Sequence, residues 1–146
     1  STYKKEQLSF FEELIEKCRE DKNKILSIHS RRAESDVLNC LKGKISFKPI
    51  LHWYTGNIEY IENAVDMGCY FSINQKMVKT QKFKKMAEII PINRILLETD
   101  SPFSSNVQTH GSLLFQTTSM LANILNMEKE DVEQNMWNNF QALLKI

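Results

Sequence analysis

The chemistry available to this sequence is concentrated in His29, His52, Glu98 and Asp100, and each stands at or just past the end of a short apolar run. His29 closes Ile25-Leu26-Ser27-Ile28, and His52 closes Pro49-Ile50-Leu51. Glu98 and Asp100 close Arg94-Ile95-Leu96-Leu97, ahead of Thr99, Ser101 and Pro102. Runs rich in branched apolar side chains read as buried strands, and two carboxylates followed by a proline end one abruptly. The carboxyl ends of parallel strands gather binding and catalytic groups in α/β folds, so Asp100 stands where a metal ligand or a general base is expected. Imidazole and carboxylate together form a hard-to-borderline donor set, suited to Zn, Mn or Mg rather than to a thiolate-seeking metal. Taken singly, each residue has a plainer reading. A lone histidine is more often a partly buried hydrogen-bonding residue, and Glu98 and Asp100 would serve equally to cap a following helix. What favours a metal is recurrence: two of the three histidines fall at equivalent strand ends, joined by Asp100. His110, in a polar loop, has no such position.

The elements that must position these groups follow a regular rhythm. From Glu6 to Cys18 the residues Leu8, Phe11, Leu14, Ile15 and Cys18 recur at helical spacing, which predicts an amphipathic helix before the first strand. A second helix is expected from Ala33 to Leu41, with Val37, Leu38 and Leu41 inward and Gly43 as its stop. A third carries Ile58, Ile61 and Val65 and closes at Gly68, before a strand from Cys69 to Ile73. A fourth holds Phe83, Met86, Ala87 and Ile90 and stops at Pro91. Two helices end the chain, from Ser112 to Leu125 and from Lys129 to Leu144, broken near Asn126. Strand and helix thus alternate at roughly twenty to twenty-five residues, the pattern of right-handed βα units on a parallel sheet. With no linker or low-complexity stretch, residues 1–146 read as a single domain. Four such units make either a small open sheet or half of an eight-stranded barrel, and the arithmetic favours half.

The totals exclude several classes. A chain of 146 residues with 42% hydrophobic and 25% charged side chains is neither disordered nor fibrous. Its net charge of +1 provides no global field for nucleic acid or an acidic membrane, so any such partner must meet a local patch. Cys18, Cys40 and Cys69 form no CxxC pair, which argues against a disulfide framework and a structural zinc site and fits a reducing compartment. No apolar run approaches membrane-spanning length and the opening Ser-Thr-Tyr-Lys-Lys has no apolar leader. A cytoplasmic protein is expected, or a nuclear one in a eukaryote, with no membrane partner. One patch stands out: Lys76, Lys79, Lys82, Lys84 and Lys85 form an acid-free basic run between the third strand and the fourth helix. It could track a phosphate backbone or be an ordinary solvated helix face.

The segments His29-Ser30-Arg31-Arg32-Ala33, His52-Trp53-Tyr54-Thr55-Gly56, Tyr70-Phe71-Ser72-Ile73 and Leu96-Leu97-Glu98-Thr99-Asp100-Ser101-Pro102 resemble successive motifs of the TatD family of metal-dependent deoxyribonucleases. Asn139-Phe140-Gln141-Ala142-Leu143-Leu144 resembles that family's final helix. The resemblance implies a TIM-like (β/α)8 barrel of amidohydrolase type, of which this chain supplies about the last four βα units. It implies hydrolysis of DNA phosphodiester bonds by metal-activated water, often from a 3′ end, with DNA as partner. His29, His52 and Asp100 match the family's metal ligands, for divalent Mg, Mn or Zn, two in the complete site. Asp100 and Glu98 become the catalytic residues, Asp100 as ligand and base together and Glu98 orienting an arginine or backbone groups beneath it. Ser30, Arg31, Trp53, Tyr54 and Ser101 would line the mouth, where guanidinium pairs with phosphate and an aromatic ring stacks on a base. For Trp53 and Tyr54, packing beneath the next loop is an equal alternative.

Two departures from the family pattern matter. Its opening His-x-His strand and the metal-bridging Glu of its fourth strand have no counterpart here, so the N-terminal half of the barrel or a partner chain is expected to complete the site. The family's basic loop after the proline is replaced by the polar, uncharged run from Phe103 to His110. The expected function is a TatD-like nuclease whose site is incomplete in this chain. A catalytically inactive half-barrel serving as scaffold or interaction subunit of a nucleic-acid or defence assembly is the alternative, and a hydrolase of small esters or amides is a third reading.

Overall fold

The branched apolar runs pair into a parallel sheet because each is too short and too uniformly apolar to be satisfied alone. The computed structural model describes residues 3–43, 45–102 and 110–145. Strands β1 (Ile25–His29), β2 (Lys48–His52), β3 (Tyr70–Ile73) and β4 (Ile95–Leu97) lie side by side in that order, every neighbouring pair parallel. Helix α1 (Lys4–Cys18) precedes the sheet, α2 (Glu34–Leu41) follows β1, and α3 (Ile61–Asp66) follows β2. Between β3 and β4 come α4 (Gln75–Val78) and α5 (Gln81–Ala87). After β4 come α6 (His110–Leu125) and α7 (Lys129–Leu144).

The register sorts the strand residues into two faces, because side chains alternate along each strand. Ile28, Leu51, Phe71 and Ile95 align across all four strands, and none is more than 5% exposed. They form the floor of the core, covered by Leu38, Leu41, Ile61, Phe83, Met86 and Leu121 from the helices. The other face carries Ser27 and His29, Ile50 and His52, Tyr70 and Ser72, then Leu96. It is thinly covered. Ser27 and His29 are exposed, and only Leu143 of α7 joins Tyr70 and Leu96 in a small apolar cluster.

Several elements differ from the sequence expectation. The third helix opens with a 3-10 turn, Ile58–Tyr60; the expected fourth helix is α5, which ends at Ala87, short of Ile90, and a further short helix not expected from the sequence, α4, precedes it. Thr80 divides them: its hydroxyl donates to Met77 O at 2.8 Å, closing α4, and accepts from Phe83 N–H at 3.1 Å, capping α5. The basic run therefore lies on α4, α5 and the residues joining them, not between strand and helix. His110 begins α6 instead of lying in a loop. Residues 103–109 of the polar run that departs from the family pattern lie outside the described residues.

Candidate functional site

Register brings the strand-end groups together before any loop contributes. His29 pairs with His52, and His52 with Ser72, in one row across the carboxyl ends of β1, β2 and β3. Beyond β4 the ladder continues for one bond, Glu98 N–H donating to Ile73 O at 2.9 Å, which delivers Glu98 to the same face two residues after Leu96.

Glu98 then becomes a hub. Its Oε2 lies 2.6 Å from His52 Nδ1 and also accepts from the Ser72 hydroxyl, while Oε1 accepts from Asn74 Nδ2 at 3.0 Å. Its side chain is only 14% exposed, and a carboxylate so buried persists only when its lone pairs are used in this way. The consequence passes to His52. With Nδ1 donating to Glu98, Nε2 is left facing Asp100 Oδ1 at 3.2 Å. The His29 ring lies 5.4 Å from that of His52, centroid to centroid.

Backbone conformation aims two of these groups. Asp100 has φ 50 and Trp53 has φ 42, both left-handed. Such a conformation costs a residue other than glycine about 1–3 kcal/mol and gathers at functional sites. A cavity of about 550 Å³ opens between them, lined by His29, Arg31, Trp53, Thr55 and Asp100.

Of the residues singled out from sequence, His29, Arg31, Trp53 and Asp100 share that cavity, and His52 lies behind it against Asp100. Ser101 follows Asp100, partly buried, its N–H donating to Thr99 Oγ1 at 3.4 Å. Ser30 is buried rather than at the mouth. Tyr54 faces the opposite way, packed edge-on against Phe71 with its hydroxyl donating to Asn57 O at 2.7 Å. Burial, reinforced by Glu34, holds its phenol well above the usual range. Glu98 orients His52, not an arginine. Arg94, four residues earlier, is at the far end of β4, over the Tyr70 ring and bonded to Gly68 O. Ser72, Asn74 and Thr55 join the site unannounced. The available signals were a serine on the same face as Tyr70 within an apolar strand, and an asparagine directly after it.

The donor set matches a divalent cation in kind. Adjacent ligands of a cation bound at about 2.0–2.1 Å stand roughly 3.0–3.4 Å apart, and the His52 Nε2 to Asp100 Oδ1 separation falls in that interval. In number it is short. Among the described residues no group of three or more His, Cys, Asp or Glu side chains is placed to hold a metal ion. The cysteines do not add to it: burial pushes the Cys69 thiol up to about 12, and Cys40 is likewise raised by burial.

Comparison with known proteins matches residues 1–145 to the family model described as TatD related DNase. A metal-dependent hydrolase of Buchnera aphidicola is 33% identical over 134 residues, covering 84% of this chain and 50% of that protein. A deoxyribonuclease Tat-D of Schizosaccharomyces pombe is 30% identical over 98 residues, covering 65% of this chain and 31% of its own length. In structure, a TatD family hydrolase of Entamoeba histolytica superposes with a TM-score of 0.76 at 17% identity, covering 96% of this chain and 57% of that one. An amidohydrolase of Saccharomyces cerevisiae also gives 0.76, at 16% identity, covering 96% and 60%. The chain spans about half the length of the curated relatives it matches. Its fold is accordingly part of a TIM-like barrel of amidohydrolase type. Among the described residues no helix is long and apolar enough to cross a membrane.

Proposed function

The chain belongs to the TatD-related DNase family, and from that membership and the site geometry we propose that it supplies part of the metal centre of a hydrolase cleaving DNA phosphodiester bonds. One observation carries the reading: His52 is held on Nδ1 by Glu98 so that Nε2 and Asp100 converge at ligand spacing, at the carboxyl ends of parallel strands. His52 and Asp100 are the residues that would hold a divalent Mg, Mn or Zn ion, and His29, on the neighbouring strand, would join them only with a change of side-chain position. Such an ion, when bound, polarises a phosphoryl oxygen and makes water a nucleophile at neutral pH. The chain's own residues do the rest. Glu98 fixes the His52 ring and its tautomer. Asp100, which lines the cavity, would take a proton from the attacking water. Arg31, exposed on the cavity wall, is suited to pair with a phosphate oxygen.

The reading includes a partner. Further donors, and cover for the thin face of the sheet, would come from the first four βα units of the barrel, whether in the same polypeptide or a separate one. In the barrel-complete protein, Asp100→Ala is expected to lower metal-dependent cleavage of DNA by roughly a hundredfold or more while the far-ultraviolet circular dichroism stays that of the parent. Full activity in the variant would remove Asp100 from the chemistry. A second reading, a non-catalytic half-barrel serving as scaffold, is supported by the absence of a three-donor group among the described residues. Calorimetric titration with Mn or Zn separates the two, since a scaffold would bind neither tightly in the barrel-complete form.

A further inference from the structure

Two cavities meet at Trp53. Beside the one lined by His29, Arg31 and Asp100 lies a second, of about 310 Å³, that shares Trp53 and Thr55 and extends to Lys76, Met77, Lys82 and Met86. The two are neighbours that share these two residues. The floor of the second is apolar and polarizable: Tyr54, Met77, Phe83 and Met86 are each no more than 4% exposed. Its rim is cationic. Lys76 Nζ stands 5.9 Å from the centre of the Trp53 ring, and Lys82 Nζ reaches across to Thr55 O at 2.7 Å. No acidic side chain is among its described lining residues. Its volume is at the small end for ligand sites, which suits one base and its sugar rather than a length of strand. A slot with an aromatic wall, a sulfur-rich floor and a lysine lip accepts a flat aromatic body carrying an anion.

We propose that this second chamber is a nucleotide subsite. It takes the base next to the scissile phosphodiester, stacked on Trp53, with the neighbouring phosphate met by Lys76 and Lys82. The assignment rests on the phosphodiesterase reading above and adds to it where the base beside the cleaved bond would lie. It also divides the basic run: Lys76 and Lys82 line the chamber, whereas Lys79, Lys84 and Lys85 do not.

The test uses the barrel-complete protein and two probes, a short single-stranded oligothymidylate and an abasic strand with the same phosphates. The parent is expected to prefer the base-bearing strand by roughly tenfold in kcat/KM, the scale of one base stacked on an aromatic ring. Met77→Trp, which fills the slot, should collapse that preference toward unity, whereas Lys76→Ala with Lys82→Ala, which removes contacts to phosphates that both probes carry, should lower kcat/KM for the two probes alike. Lys84→Ala with Lys85→Ala should leave preference and kcat/KM at the parent level. Binding is read independently of turnover in an Asp100→Ala protein that also carries Trp137→Phe, so that Trp53 is the chain's remaining tryptophan. Its fluorescence should be quenched by the oligothymidylate and much less by the abasic strand. Equal cleavage of both probes by the parent, or preference retained after filling the slot, would overturn the subsite and leave the hydrolase standing. Cleavage of neither probe, with quenching by the base-bearing strand alone, would keep the subsite and overturn the hydrolase.

Discussion

Glu98 accepts from three directions at once, from His52 on β2 and from Ser72 and Asn74 at the end of β3. Every one of those partners is a donor, so an amide in its place, with a single acceptor and a donor group, leaves at least one of them facing N–H. Glu98→Gln in the barrel-complete protein is therefore expected to lower Mn or Zn affinity by roughly 10–100-fold, read by isothermal titration calorimetry, with the fold retained. Unchanged affinity would detach Glu98 from the metal. The sequence shows His29, His52 and Asp100 because strand ends are local features, marked by where an apolar run stops. The task of Glu98 is hidden from it, since its three partners lie 24 to 46 residues away and meet it only through sheet register. Tyr54 is hidden for another reason. Its neighbour Trp53 takes a left-handed φ of 42, which breaks the alternation that would otherwise say which of the two aromatics points inward.

Among the elements, the four strands are legible as runs of branched side chains, and the helices as apolar residues at helical spacing. What the spacing conceals is α4. Its four residues, Gln75–Val78, make barely one turn, too short for an apolar periodicity to show, and the Thr80 hydroxyl separates it from α5. The final helix is legible by pattern, and polar side chains tie it to the sheet at two points. Asn139, only 4% exposed, donates from Nδ2 to Ile92 O at 2.7 Å and to Ile95 O at 2.8 Å, pinning α7 to the start of β4. At the second, Lys48 of β2 donates to Leu143 O at 2.7 Å and to Ala142 O. Asn139→Ala leaves two backbone carbonyls without that donor and is expected to destabilise the protein by about 1–3 kcal/mol, seen as a lower denaturation midpoint with unchanged slope. The neighbouring Asn138, exposed on the same helix, serves as the comparison: its alanine variant should stay within about 0.5 kcal/mol of the parent. Equal effects at the two positions would mean that Asn139 does not anchor the helix.

For the molecule as a whole, the decisive feature is the face of the sheet opposite the core. Purely parallel sheets are normally covered on both faces, and here one face is open along β1, where Ser27 and His29 are exposed. A groove of about 540 Å³ runs along it, lined chiefly by Ile50, Leu96, Met136, Trp137, Phe140 and Leu143. Trp137 and Phe140, their rings 6.1 Å apart, remain 53% and 44% exposed. A contiguous aromatic and aliphatic surface of this kind is typical of one that another element covers. This chain covers about half of its family relatives, and under the function proposed above the remaining βα units of the barrel would cover this face. The prediction concerns where the apolar surface goes. The chain by itself should bind a hydrophobic dye such as anilinonaphthalene sulfonate, and Trp137→Ser with Phe140→Ser should remove most of that binding. Joining or mixing it with the first half of a barrel should remove dye binding in the unsubstituted chain as well, and shift the Trp137 emission to the blue as water leaves the ring. A dye-silent monomer by light scattering, with Trp137 emission unmoved by the added half, would mean that this half-barrel is complete as it stands and that its metal ligands act without further donors.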